Sequence, residues 1–338
     1  MRPTDECSLG AVSNGPAHWT FNATYANGNY NQASGDATVT INKADATVVI
    51  TPYSGTHDAL PHSLTGTAKG VGGIDLSASL NLGASFTNAP GGTATWTFTG
   101  GTNYNNQTGT AALTINRATL TVTPDNKSMV LHGTVPPLTF QIAGFKGTDK
   151  PTTLTTQPTC TTTATSTSNV GPYPITCSGG TATNYVFDDT AVGKLTILYA
   201  TGTICSNGMV GHQVQQPINM DGSSVFKYGS TVPTKFTVCD AGGTPISSTV
   251  VSSFVAAAYV NGTVSNVVNE TIYSTTPDTA FRWDPTAQQW IFNLSTSGLA
   301  KNATAVFIIT LNDRSIVGPV VGGVNALPGA SSFQFGLK

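Results

Sequence analysis

Apolar and polar residues alternate with a period of two in many short runs of this chain, among them Trp19 to Tyr25, Asp36 to Ile41, Thr47 to Thr51, Leu64 to Lys69, Ile74 to Leu82, Thr93 to Thr99 and Thr110 to Ile115. Alternation of this kind is the pattern of half-buried strands. No ten-residue stretch combines an i, i+3, i+4 apolar stripe with helix formers, so the prediction is an all-β chain with very little helix. Asn27-Gly28-Asn29 and Pro90-Gly91-Gly92 read as turns between strands. Further on, Ser253 to Val260 and Thr263 to Val268 flank Asn261-Gly262, a pair suited to a hairpin whose two turn positions need positive φ. A second hairpin is predicted between Thr279 to Trp283 and Gln289 to Ser295, with Phe281 and Trp283 sharing one face, as do Trp290, Phe292 and Leu294.

The strands recur as words. Thr110 to Pro124 reads TAALTINRATLTVTP, and Asp36 to Pro52 reads DATVTINKADATVVITP. A Tyr-Asn pair precedes each copy (Tyr30-Asn31, Tyr104-Asn105), and a Trp-Thr-Phe triplet stands further upstream (Trp19 to Phe21, Trp96 to Phe98). A weaker third copy has Asn184-Tyr185 and then Leu195 to Ala200. The signature isoleucines Ile41, Ile115 and Ile197 are 74 and 82 residues apart, the spacing of a string of small β modules. The expected organisation is a partial repeat over 1–46, a complete module over 47–120, a third over 121–200 and a different domain over 201–338. Leu9-Gly10-Ala11 through Trp19 parallels Leu82-Gly83-Ala84 through Trp96, so sequence upstream of Met1 is expected and the first module should be the least stable. Repeats follow one another without a Gly/Pro/Ser-rich linker, which predicts an elongated rod with slack only at Tyr199 to Asn207.

Composition narrows the function. Charged residues are 9% of the chain, against about 25% in ordinary globular proteins. The formal net charge is −2 and no Lys/Arg cluster exists, which argues against a nucleic-acid partner. No apolar run reaches the ~18 residues of a membrane span. A neutral surface of Thr, Ser, Asn and Gly suits an extracellular or cell-surface protein, although the first residues lack the apolar core of a secretory signal.

Five cysteines stand at 7, 160, 177, 205 and 239, with no CxxC. Cys160 and Cys177 fall in one module and Cys205 and Cys239 in the next, so they are expected to pair as disulfides in an oxidising compartment, leaving Cys7 over.

The second module, through Tyr53-Ser54-Gly55, Pro61-His62, Thr67 to Gly73, Asn103-Tyr104-Asn105 and Thr114 to Ala118, resembles the MBG/YDG-type repeats of large secreted bacterial adhesins. The third resembles the related YGX type through Pro137 to Phe140, Gly144-Phe145, Val170 to Ile175 and Asn184-Tyr185, and departs from it at Val130-Leu131-His132-Gly133, where a Tyr-Gly is expected. Residues 201–338 resemble the PxKF domain of secreted bacterial proteins through Gly229 to Phe236, Cys239-Asp240, Phe281 to Trp283, Gln289 to Phe292, Leu311 to Asp313 and Phe333 to Lys338, interrupted by a loop-like excursion from Ile316 to Ala330. These resemblances imply tandem small modules, Ig-like or β-grasp-like, followed by an Ig-like sandwich. They imply surface display rather than a reaction, and no catalytic residue, metal site or cofactor to carry over.

Candidate chemistry is correspondingly sparse. His57, Asp58 and His62 could suggest a metal site, but Pro61 breaks any helix and no further ligands are at hand, so two solvated imidazoles in a turn are expected. Asp188, Asp189, Asp221, Asp278 and Asp284 form no calcium loop and are assigned to turns and caps. No nucleophile elbow, zinc-protease motif or P-loop is present, and the protein is not expected to be an enzyme. Trp283 and Trp290 are the candidate ligand contacts: facing outward on a flat sheet they would stack on sugars, and facing inward they anchor a core. The expected function is a non-catalytic, monomeric stalk or adhesin-like fragment whose partners are surface glycans or neighbouring adhesin modules. A carbohydrate-binding C-terminal domain is the alternative, and a glycan hydrolase a third.

Overall fold

The computed structural model describes residues 17–23, 33–39, 41–260, 276–318 and 332–338. Cys7, the Asn27 turn, the Asn261-Gly262 hairpin and most of the Ile316 to Ala330 excursion lie outside the described residues. The fold is all-β: among the described residues the only helical pieces are single 3-10 turns at Val71–Gly73, Ser77–Ser79 and Pro151–Thr153. No helix there is long and apolar enough to cross a membrane.

In chain order the strands are β1 (Ala17–Ala23), β2 (Ala33–Val39), β3 (Thr47–Thr51), β4 (Tyr53–Thr56), β5 (Thr65–Lys69), β6 (Leu80–Asn81), β7 (Gly91–Phe98) and β8 (Gln107–Asn116). Next come β9 (Ala118–Pro124), β10 (Lys127–Val130), β11 (Phe140–Ala143), β12 (Thr159–Thr162), β13 (Gly171–Ser178), β14 (Tyr185–Asp188) and β15 (Gly193–Leu198). The C-terminal region adds β16 (Val214–Gln215), β17 (Val225–Phe226), β18 (Thr231–Phe236), β19 (Val251–Val260), β20 (Arg282–Asp284), β21 (Gln289–Ser295), β22 (Thr304–Leu311) and β23 (Phe333–Leu337).

The repeat is visible in the topology. The second module has a sheet ordered β4-β8-β7-β6 and the third one ordered β10-β15-β13-β12. In each the first strand lies parallel to the signature strand, and the next two are antiparallel. Tyr53, Ser54 and Gly55 lie opposite Leu113, Thr114 and Ile115, whereas Lys127, Ser128 and Met129 lie opposite Leu195, Thr196 and Ile197. The third-module counterpart of Tyr-Ser-Gly is therefore Lys127-Ser128-Met129, and Val130 to Gly133 follows it. The same alignment sets Trp96 of β7 against Cys177 of β13, whose neighbour on β12 is Cys160. A disulfide stands where the second module packs a tryptophan.

One expected strand and one expected turn are altered. Ile74 to Leu82 shrinks to β6, because Asp75 Oδ1 accepts hydrogen bonds from Ser77 N (2.9 Å) and Ser77 Oγ (2.6 Å) and ties the backbone into a turn. The Pro90-Gly91-Gly92 segment is not a turn throughout, since β7 begins at Gly91, at φ +90°. A Cβ there would lie 2.1 Å from the Leu113 carbonyl oxygen, so the position requires glycine.

The chain forms two compact units. The first comprises Met1–Thr121, Ile142–Pro158 and Gly179–Asp188, and the second Val122–Gln141, Thr159–Ser178 and Asp189–Lys338. In the first, Leu64, Ala94 and Leu113 form one core, Ala46, Ala68 and Phe98 a second, and Ala118, Leu120 and Tyr185 a third. In the second, the sheets β16-β18-β21-β20 and β17-β23-β22-β19 contribute to a single core with Phe226, Phe236, Phe307, Phe333 and Phe335 fully buried. Ile175, Leu195 and Ile197 of the third module belong to that same core. The 121–200 stretch is thus divided between the units, with β9 contributing residues to both. Slack at Tyr199 to Asn207 is not found. Tyr199 N donates to Asp313 Oδ2 (2.8 Å), Ala200 N donates to Cys239 O (3.0 Å), and Cys205 is disulfide-bonded to Cys239.

Candidate functional site

The second hairpin of the C-terminal region positions the tryptophans. Asp284 Oδ1 accepts hydrogen bonds from Thr286 N (3.0 Å) and Ala287 N (3.2 Å), closing the turn between β20 and β21. Trp283 then lies opposite Trp290, Trp290 opposite Phe236, and Phe236 opposite Val214. Directly opposed residues of antiparallel strands share a face, so these four form one row. Phe236, Val214 and Trp290 are buried in the core, which makes this the inner face. The Trp290 indole N–H donates to Ile246 O at 2.9 Å, satisfying its polar end inside. Trp283, half-buried on the edge strand, packs tilted against Trp290 with centroids 5.5 Å apart. The outward tryptophan pair needed to sandwich a sugar is not formed, because the register directs both rings to the core side.

On the opposite face the register sets Gln215 against Lys235, Lys235 against Ile291, and Ile291 against Arg282. A cleft of about 490 Å³ opens here, beside the short strand β16. Its polar lining is Gln213, Gln215, Gln216, Gln289 and Lys235. Gln215 Nε2 donates to Thr237 Oγ1 (3.0 Å), and Asn207 Nδ2 donates to the same oxygen (3.1 Å) and to Gln288 O (2.8 Å). Gln215 Oε1 is buried and has no hydrogen-bond partner among the described residues. Scattered glutamines carry no motif, which is why sequence reading missed the cleft; only the β16–β18 pairing brings Gln215 to Lys235.

A second polar cluster in the same unit surrounds His212. Its ring is buried, and Nε2 lies 2.9 Å from Ser315 Oγ, which in turn donates to Asp313 Oδ1. Because the serine hydrogen goes to the carboxylate, the imidazole supplies its own Nε2 hydrogen to Ser315. Burial pushes the His212 pKa down, against the opposing pull of the Asp313 charge and the Ala200 carbonyl. Tyr199, next to Asp313, is pushed up to about 12 by burial and by that charge. The Ser315 hydroxyl hydrogen is thus held by the Asp313 carboxylate rather than by the imidazole.

In the first unit the histidines are not the solvated pair expected. His57 is only 2% exposed. Its Nδ1 lies 2.9 Å from Thr87 O, so Nδ1 carries the hydrogen, while Nε2 faces Asp149 Oδ2 at 3.5 Å. Tyr185 packs edge-on against the ring and donates its hydroxyl hydrogen to Asp149 Oδ2 at 2.7 Å. The sequence hid this because Asp149 and Tyr185 come from the following module. His62 stacks on Tyr53, with centroids 4.0 Å apart, and its Nε2 lies 2.9 Å from Asp58 Oδ1. The Leu60 N–H and His62 hold the exposed Asp58 carboxyl below its usual range.

Cys160 and Cys177 are disulfide-bonded, as are Cys205 and Cys239. Asp221 accepts Ser223 N, and Asp278 accepts Asn293 N and lies 3.3 Å from Arg282 Nε. Among the described residues no three His, Cys, Asp or Glu side chains gather as metal ligands.

Comparison with known proteins gives one family. Residues 120–196 match the model of the MBG domain (YGX type). No curated protein matches the chain. Among solved structures, domains 4-9 of the surface layer protein SbsC are similar at 14% identity, over 82% of this chain and 42% of that one, with a TM-score of 0.18. The S-layer protein rSbsC is similar at 12% identity, over 95% of this chain and 44% of that one, with a TM-score of 0.20. The chain spans less than half the length of these solved chains, and at such TM-scores the likeness carries no weight for fold or function. The comparisons thus establish similarity to the MBG domain (YGX type) over residues 120–196.

Proposed function

We propose that this chain is a non-catalytic, adhesin-like segment of a bacterial surface or secreted protein, in which MBG-type repeats carry a PxKF-type β-sandwich. The observation that carries this reading is the MBG match over residues 120–196. Two disulfides and a surface poor in charge support it, since disulfides persist outside the reducing cytosol. In the test, antibodies against the chain label intact cells of the producing bacterium, and mild protease treatment releases its peptides. Recovery from the cytosol alone would overturn the proposal. The stalk role, proposed from the linker-free repeats, requires an extended monomer in solution, and a compact radius of gyration by small-angle scattering would remove it.

A second reading, that the C-terminal region binds carbohydrate, is favoured by the cleft lined by Gln213, Gln215, Gln216, Gln289 and Lys235. Neutral carboxamides both donate and accept, as sugar hydroxyls do. Trp290 is buried and Trp283 lies in the same core-facing row, so the cleft is lined without an aromatic stacking platform.

A further inference from the structure

We propose that the cleft beside β16 binds an acidic saccharide, one bearing both a carboxylate and hydroxyls on the same or adjacent rings. Lys235 would be its charge partner and Gln215 its selector. The proposal rests on the carbohydrate-binding reading and makes it specific.

Three observations converge. First, a volume of about 490 Å³ lies within the roughly 300–1,000 Å³ of small-molecule sites. Second, Lys235 is the single charged residue of the lining, and it forms no ion pair among the described residues. Its cross-strand position opposite Gln215 puts the ammonium group and the carboxamide on one face, away from the buried row of Val214, Phe236 and Trp290. A cleft with one uncompensated cation and no acid favours a ligand with a single negative charge. Third, Gln215 Oε1 is a buried acceptor without a donor, while the nitrogen of the same amide is held by Thr237 Oγ1.

The third observation decides the chemistry. A simple anion has only acceptors and would leave Gln215 Oε1 unsatisfied, whereas a hydroxyl supplies the missing hydrogen. A ligand with a carboxylate for Lys235 and a hydroxyl for Gln215 meets both demands, and uronic and sialic acids have both. Met209 and Met220, which keep exposed surface in the lining, supply apolar contacts against which the C–H face of a sugar ring can pack without an aromatic platform.

Calorimetric titration of the full chain with sialyllactose, a glucuronate-containing tetrasaccharide, lactose and a short peptide with a free C-terminus tests this. The acidic sugars should bind at least tenfold more tightly than lactose. Lys235→Gln should remove that preference together with the salt dependence of binding, and Gln215→Leu should weaken acidic-sugar binding several-fold. Arg282→Gln, removing an exposed cation of the same face that pairs with Asp278, should change neither. Circular dichroism of each variant separates lost binding from lost fold. Acidic-sugar binding unchanged by the Lys235 and Gln215 variants, or lost only in Trp283→Ala, would overturn the cleft while the carbohydrate reading stands. Binding of the peptide alone would overturn the sugar assignment. Failure of every saccharide would overturn both.

Discussion

His212 shows how a single buried side chain sets a pH limit on the fold. Its folded pKa lies below its ordinary value of 6.5, burial being the main cause. The unfolded chain therefore takes up the proton first as pH falls, and stability drops from about pH 6.5 downward to the folded pKa. Urea denaturation at pH 7 and pH 5 should show the lower midpoint at pH 5, with His212→Gln flattening the difference. The Asp240 carboxyl acts in a separate, more acidic window. Burial tends to raise it, but His132 and the Thr244 and Gly242 N–H groups outweigh that and hold it below 3.8. Its stabilisation is present above that value and is lost as pH falls through the lowered one. Gly109 is a steric counterpart: a Cβ there would lie 2.7 Å from the Trp96 ring that covers it. Gly109→Val should expose Trp96, shift its fluorescence to longer wavelength and lower the melting temperature of the first unit.

At the scale of elements, the signature strand β8 holds its sheet together because it pairs with both β4 and β7. Leu113, 2% exposed, packs in the core with Leu64 and Ala94. Leu113→Ala should cost about 2–5 kcal/mol, whereas Val49→Thr, at a residue 55% exposed on β3, should leave the urea midpoint nearly unchanged. These strands were legible because their periodicity is clean: in β9, Ala118, Leu120, Val122 and Pro124 are buried between exposed threonines. Ile74 to Leu82 misled because the Asp75 side chain competes for the backbone, a local contest that period-two reading does not register. The second hairpin was readable from its turn, yet the face its tryptophans occupy depended on Phe236 and Val214, supplied by strands distant in sequence. The cleft was illegible for the same reason, and so was the burial of His57 by a partner from the next module.

For the whole chain, the disulfides divide the two units. All four bonded cysteines belong to the second unit. Closing loops of 17 and 34 residues is worth about 3 and 4 kcal/mol respectively in the chain-entropy picture. Calorimetry with a reducing phosphine should therefore lower the transition of the second unit by many degrees and leave that of the first in place. Equal shifts in both would contradict this division. The parallel pairing of β4 with β8 and of β10 with β15 sets the order in which these sheets close. Tyr53 has no sheet partner until Leu113 exists, and Lys127 none until Leu195. During synthesis each of these two sheets therefore stays open until its signature strand is present, because the contacts that close it join residues far apart in sequence.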